Sequence, residues 1–347
     1  MAIMKAARLH KIGERLRLDK VPLPSLGVED VLIDVKASGI CHSDINYQRG
    51  ISPVGKMPIT LGHEIAGVIA EIGDKVQGVE KGDRVCVHYV LSCGRCRFCL
   101  VGKENLCDHY KMIGKDVDGG FAEYVKAPAR NIIKLPNLIP FEQGAIIGCA
   151  VSTAFHALRR ARINAGETVV VYGVGGVGIH AVQLAAKVFG AGKVIAVDVS
   201  EEKLKAARKV GADEIVNAHE EKPAERIKEI TGGRLSDVVL DFVGLKDTIE
   251  EAINCAGKGG RILLVGISSD EITISPYKTI IGKEMEIIGV NDHLKSEMIQ
   301  LINLVESGKI DISNSITHMV TLENVNYGME ILEKKIGNPI KVVVIPE

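Results

Sequence analysis

Residues 168–198, TVVVYGVGGVGIHAVQLAAKVFGAGKVIAVD, decide the fold. The run from Thr168 to Tyr172 is apolar and β-branched, as a buried strand requires, and it enters a glycine cluster directly. Gly173, Gly175 and Gly178 keep the order G-x-G-x-x-G, with Gly176 and Val177 between the last two. An Ala-rich helical stretch to Phe189 follows, then a second strand, Lys193 to Val197, that ends on Asp198. Strand, glycine turn, helix, strand and acid in this order are the fingerprint of a dinucleotide-binding Rossmann unit. The first glycine permits the tight turn, the second admits backbone amides to a pyrophosphate, and the third lets helix pack on strand. The helix N-terminus adds partial positive charge. Asp198, twenty residues past Gly178, can accept hydrogen bonds from ribose hydroxyls and repels a 2′-phosphate, so NAD is favoured over NADP. A plain glycine turn with a helix-capping Asp does not account for strand, spacing and acid together.

Alternation continues beyond this unit. Glu201 to Val210 reads as helix, Asp237 to Asp241 as strand, Thr248 to Ala256 as helix and Gly260 to Val265 as strand, which predicts a doubly wound parallel sheet. Upstream the rhythm differs: short β-like runs at Val31–Ala37, Ile65–Ile72 and Arg84–Val90 are separated by Gly, Pro, Asp and Ser, as in an all-β lobe. A helix-compatible stretch, Phe141 to Arg162, joins the two. The helices at Lys295–Glu306 and Leu322–Lys335 and the strand Ile340–Ile345 fit a return into the first lobe. The expected architecture is α/β: a β-rich domain of residues 1–150 and 288–347, interrupted by a Rossmann domain of residues 151–287.

At 347 residues, two cores are the default. With no Trp and 4% aromatic residues, those cores must be aliphatic. A formal net charge of -1 with interspersed signs provides no field for nucleic acid or anionic lipid. The apolar window Thr168 to Ala186 carries four glycines, His180 and Gln183, which a bilayer would reject. No secretory signal pattern is present, so a cytoplasmic location is expected, with small molecules or sister subunits as partners.

Eight cysteines in a reducing compartment point to metal or catalysis rather than disulfides. Cys93, Cys96, Cys99 and Cys107 follow C-x2-C-x2-C-x7-C, a spacing that folds four thiolates around one zinc. Such a closed site, spanning residues 93–107, is structural and staples a long loop. Cys41-His42-Ser43-Asp44, Gly62-His63-Glu64 and Gly148-Cys149-Ala150 are also chemically suggestive. Singly, each is as well explained by a buried free cysteine or a hydrogen-bonded core histidine.

Taken together and in order, these segments with the GVGGVG loop and Asp198 make the chain resemble the zinc-containing medium-chain dehydrogenase/reductases, in particular NAD-dependent alcohol dehydrogenases of the microbial tetrameric type. The resemblance covers essentially the full length. It implies a GroES-like catalytic domain with an inserted Rossmann domain, and two Zn2+ per chain. Cys41, His63 and Cys149 would hold the catalytic zinc, the Cys2His set that alcohol dehydrogenases use, with Glu64 as an occasional fourth ligand. Ser43, Asp44 and Glu64 are the implied catalytic residues: Ser43 bonds the substrate hydroxyl and Asp44 orients His63. His42, Thr153, Lys203, Val243, Val265 and Lys341 join Gly173, Gly175, Gly176, Val177, Gly178 and Asp198 as implied cofactor contacts, with Lys341 at a phosphate-binding position. Tyr89 is expected to line the substrate pocket. The implied reaction is reversible hydride transfer between a primary or secondary alcohol and NAD through a zinc-bound alkoxide, with an alcohol, ketone or aldehyde as substrate and a homodimer or homotetramer as the assembly. Polyol, amino-alcohol or hydroxyacyl dehydrogenases and carbonyl reductases share the ligand set. A non-catalytic nucleotide-binding protein would have no reason to keep Cys41, Ser43, His63 and Cys149 together.

One position departs from the pattern. Relatives commonly carry a relay histidine three residues beyond the serine, whereas this chain has Asn46, which cannot titrate near neutral pH. His42 or water must then finish the proton path. Asn46→His is expected to raise turnover near neutral pH, and an unchanged pH profile of kcat would refute the relay argument.

Overall fold

The computed structural model describes residues 2–346. Contacts divide the chain after Ser152 and after Asn291, slightly beyond the sequence-based boundaries of 150 and 287, so that one unit is built from both ends of the chain and the other from Thr153–Asn291. No helix among the described residues is long and apolar enough to cross a membrane.

The unit built from both chain ends is centred on an extended strand, Asp30–Ile40. Among the described residues it belongs to a seven-stranded sheet, pairing antiparallel with Glu64–Ile72, Tyr124–Pro128 and Lys341–Ile345. The aliphatic residues facing inward, including Ile33, Val35, Ile65, Ile69, Val85 and Val342, are fully buried, as the aromatic-poor composition requires. Register then places the chemistry. Gly39 pairs with Glu64 and Ile40 with Val342, so the strand ends at Cys41 with His63 and Lys341 on the flanking chains.

From Phe141 the chain is helical, but not uniformly so. The α-helix Phe141–Ile146 passes into a π-helical turn, Ile147–Val151, before the α-helix Ser152–Ala161. Such wide turns concentrate at functional sites, and this one carries Cys149 at its centre.

In the other unit, six parallel strands follow the order Glu214–Asn217, Lys193–Asp198, Thr168–Tyr172, Ser236–Asp241, Ala256–Leu264, Glu286–Gly289. In order of appearance this is 3-2-1-4-5-6, the doubly wound arrangement whose direction reverses beside the first strand. Thr168–Tyr172 is buried along its whole length because helices cover both faces of such a sheet. Glu214–Asn217 and the helix Pro223–Ile230 complete the alternation but did not stand out in the sequence, being short and only partly buried.

His88, just past the strand Arg84–Val87, is 2% exposed, and its Nε2 lies 3.3 Å from the carbonyl of His293. Burial pushes its pKa down to about 4. The unfolded chain, with a histidine pKa of about 6.5, therefore binds the extra proton first as pH falls. The stabilising contribution of neutral His88 is complete above that value and is lost towards about pH 4. In His88→Gln, urea denaturation is expected to show a shallower loss of stability across this window than in the unmodified protein. Equal slopes would exclude His88 as the titrating group.

Candidate active site and metal centres

Cys41 is the N-cap of the short helix His42–Arg49, and Asp44 in its first turn accepts a hydrogen bond from the Cys41 amide at 2.9 Å. The other Asp44 oxygen accepts from the Gly62 amide at 3.2 Å and lies 3.6 Å from His63 Nδ1. One buried carboxylate thus ties the Cys41 loop to the segment carrying His63. Gly62 has φ +89, and a side chain there would strike the Phe121 ring at 2.5 Å, so only glycine fits before His63. Cys149 approaches from the π turn, which is braced by Ser152 Oγ donating to the Ile147 carbonyl at 2.5 Å.

One ligand atom from each of Cys41, His63, Glu64 and Cys149 lies within 4.8 Å of the others. Their electrostatics are those of a crowded anionic set. The hydrogen bond from Cys149 holds Cys41 well below the usual thiol range, while the same bond, with burial, holds Cys149 well above it. Burial pushes the His63 pKa down, but the Asp44 carboxylate and Cys41 together outweigh it and raise it. Glu64 is fully buried, and burial lifts its pKa to about 7 against the opposing pull of Lys341. Its Oε1 receives the Lys341 ammonium at 2.5 Å, whereas Oε2 has no hydrogen-bond partner and occupies space that a side chain on Gly39 would invade at 2.0 Å. Two sulfurs, an imidazole nitrogen and an unsatisfied buried carboxylate oxygen converging on one point suit a divalent cation such as zinc. Ser43 Oγ lies 3.6 Å from Cys41 Sγ, at the edge of the same cluster.

Lys341 departs from its expected role. Its amine is buried, donating to the Ile40 carbonyl at 3.0 Å as well as to Glu64, so its charge is committed beside the ligand cluster rather than offered to a phosphate. Only the pairing of Val342 with Ile40 reveals this, and the sequence gives no sign of that register.

The four-cysteine loop closes as its spacing predicts. Cys93, Cys96, Cys99 and Cys107 each place a sulfur within 4.8 Å of the others, with Cys96 at 3.5 Å from Cys99 and 3.9 Å from Cys107. Tetrahedral coordination with bonds of about 2.3 Å separates sulfurs by about 3.8 Å. Backbone amides point at the sulfurs: Cys96 N–H donates to Cys93, and Cys93 and His109 N–H donate to Cys107. Such donors favour the thiolate form; the Cys99 and Asp108 amides bring Cys96 down to about 6, while burial takes Cys107 up to about 11.

In the Rossmann unit each glycine has a separate spatial reason. Gly173 turns the chain with φ +86, and a side chain on Gly178 would meet the Gly173 carbonyl at 1.9 Å. Beside Gly175 the nearest group is Lys203 Nζ, 3.9 Å from where a side chain would begin, which brings that ammonium to the loop. Asp198 accepts from the Val174 amide at 2.9 Å and from Val199 and Ser200 at 2.8 and 3.0 Å, bracing the loop from the end of its own strand. Val177 caps the helix Gly178–Lys187. Val243 and Val265 follow the C-terminal ends of neighbouring strands, where such sheets bind ligands, and their amides bond to Asp241. His42 is exposed at the start of its helix and Thr153 is half-buried. A separate cavity of about 620 Å³ is lined by Met4, Arg8, Thr60, Tyr124 and neighbours, and none of the candidate ligands borders it.

The Alcohol dehydrogenase GroES-like domain family matches residues 27–137, and the Zinc-binding dehydrogenase family matches residues 176–307. An NAD-dependent alcohol dehydrogenase of Sulfurisphaera tokodaii is 36% identical over 98% of this chain and 100% of its own length. A sorbitol dehydrogenase of Bacillus subtilis is 35% identical over 99% of this chain and 97% of its own. The crystal structure of the alcohol dehydrogenase from Aeropyrum pernix superposes with a TM-score of 0.90 at 36% identity, covering 99% of this chain and 100% of that one.

The two glycines make opposite demands. Gly178→Ala is expected to lower stability by about 1–3 kcal/mol, because backbone must move. Gly175→Ala should leave the melting temperature of the free protein unchanged yet weaken dinucleotide binding. Equal melting temperatures for the two variants would contradict this assignment of roles.

Proposed function

The chain belongs to the zinc-containing medium-chain dehydrogenase/reductase family, and on that premise we propose that it is a zinc-dependent NAD alcohol dehydrogenase. It oxidises small primary or secondary alcohols to aldehydes or ketones, and reverses the reaction, with Cys41, His63 and Cys149 as catalytic zinc ligands. The observation that carries this reading is the convergence of those three residues, from separate segments, with Ser43 at the margin.

When bound, zinc supplies Lewis acidity that lowers a hydroxyl's pKa, and NAD supplies the hydride acceptor. The protein's own groups do the rest. Ser43 Oγ takes the substrate hydroxyl proton, and Asn46 leaves its onward transfer to His42 or water. Asp44 holds the ring of His63 in place. Two thiolates balance a divalent cation, while Lys341 neutralises Glu64, so the cluster has no excess charge to trap a departing product. Asp198 and Lys203 meet the adenosine ribose, and the amides from Gly173 to Gly178 meet the pyrophosphate. The four-cysteine loop carries a second, structural zinc. We place the enzyme in the cytoplasm as a homodimer or homotetramer.

The test is NAD reduction with a panel of alcohols, monitored by nicotinamide absorbance. Unmodified protein is expected to turn over, Cys149→Ala to fall to background with its secondary structure intact, and Asp44→Asn to lose about 10–100-fold. Full turnover by Cys149→Ala would end the proposal.

A further inference from the structure

Beside the ligand cluster lies a polar group that zinc chemistry does not require. The Tyr89 ring packs edge-on against His63, centroids 5.0 Å apart, and its hydroxyl stands 3.9 Å from Cys149 Sγ. That hydroxyl donates to Asp292 Oδ1 at 3.0 Å, and Tyr110 hydrogen-bonds the same carboxyl. The carboxyl of Asp292 is therefore two contacts from a ligand sulfur.

Its position is built rather than incidental. Asp292 has φ 51, a left-handed conformation that few residues other than glycine adopt. The next residue, His293, is fully buried, its ring 5.0 Å from Tyr89 and 5.1 Å from His88. Beyond it, the Lys295 amide donates to Glu104 Oε1 at 2.9 Å, which anchors this turn to the four-cysteine loop. The same loop places Tyr110, whose amide donates to the Cys107 carbonyl at 3.1 Å. Burial raises the pKa of Asp292 while the two phenols oppose it. A pocket for a purely apolar alcohol would be cheaper to line with hydrocarbon, since burying a carboxyl is costly unless its hydrogen bonds are made. An ionised carboxyl can accept about four hydrogen bonds.

We propose that Asp292, presented by Tyr89 and Tyr110, determines specificity by accepting a hydrogen bond from a second donor, hydroxyl or ammonium, on the carbon next to the reacting carbinol. The preferred substrates are then vicinal diols or amino alcohols, not simple mono-alcohols. This rests on the reading of Cys41, His63 and Cys149 as the reacting centre.

Three compounds of one shape test it: sec-butanol, propylene glycol and isopropanolamine differ only in a methyl, hydroxyl or amino group beside the carbinol. The holoenzyme is expected to favour one of the two polar compounds over sec-butanol by about a hundredfold in kcat/KM, and which one wins identifies the donor. Asp292→Asn, of the same shape, should cut that ratio at least tenfold, and Tyr89→Phe should reduce it less. A readout without turnover accompanies this: with NADH present, the preferred polar compound should raise the melting temperature more than sec-butanol does, and this difference should shrink in Asp292→Asn. Equal preference for sec-butanol, or an unaltered ratio in Asp292→Asn, overturns the proposal while leaving the dehydrogenase reading standing. No turnover of any alcohol overturns both.

Discussion

Two sulfurs, an imidazole nitrogen and a carboxylate oxygen lie within 4.8 Å of one another, and the sheet register and charges around them keep them there. Groups of this kind repel one another when ionised and lose hydration on burial, so they stay together only where the backbone is fixed and countercharge is at hand. Sheet register supplies the first condition, by setting Gly39 opposite Glu64 and Ile40 opposite Val342. Asp44 and Lys341 supply the second, one orienting the imidazole and the other compensating Glu64. Gly39 and Gly62 remain side-chain-free because the neighbouring carboxylate and Phe121 need their space. The π turn completes the arrangement by aiming Cys149 inward from a helical segment that would otherwise present a regular face.

The four-cysteine loop extends this logic. It lacks long secondary structure, so ligation is what would give it shape. Its residues hold neighbouring segments: Glu104 accepts from the Lys295 amide just after Asp292, and the Tyr110 amide donates to the Cys107 carbonyl. In the nucleotide unit the governing constraint is backbone contact. Gly178 sits so close to the Gly173 carbonyl that the first strand and its helix can touch only through a residue without a side chain.

How much of this could be read from residue order follows from how local each feature is. The glycine loop, Asp198 and the four-cysteine cluster lie within short stretches whose spacing is set by one turn or one ion, and they were legible. Cys41, His63 and Cys149 were ambiguous one by one, and family resemblance was needed to join them. The Lys341–Glu64 pair, 277 residues apart, and the Tyr89–Asp292 bond, 203 apart, depend on strand register and on a left-handed turn that no local pattern encodes. For this reason its place in the chain, matched to the family pattern, points Lys341 at a phosphate, although its amine is engaged with a carboxylate. The π turn was hidden for a related reason: its residues are apolar and suit an ordinary helix equally well.

An anomalous difference map recorded at the zinc edge on crystals of the protein tests most directly whether Cys41, His63 and Cys149 hold an open-sided cation. Two peaks per chain are predicted, one centred among the sulfurs of Cys93, Cys96, Cys99 and Cys107, the other bonded to Cys41 Sγ, a His63 ring nitrogen and Cys149 Sγ. A single peak at the four-cysteine loop, with the second position empty in fully active protein, would contradict it.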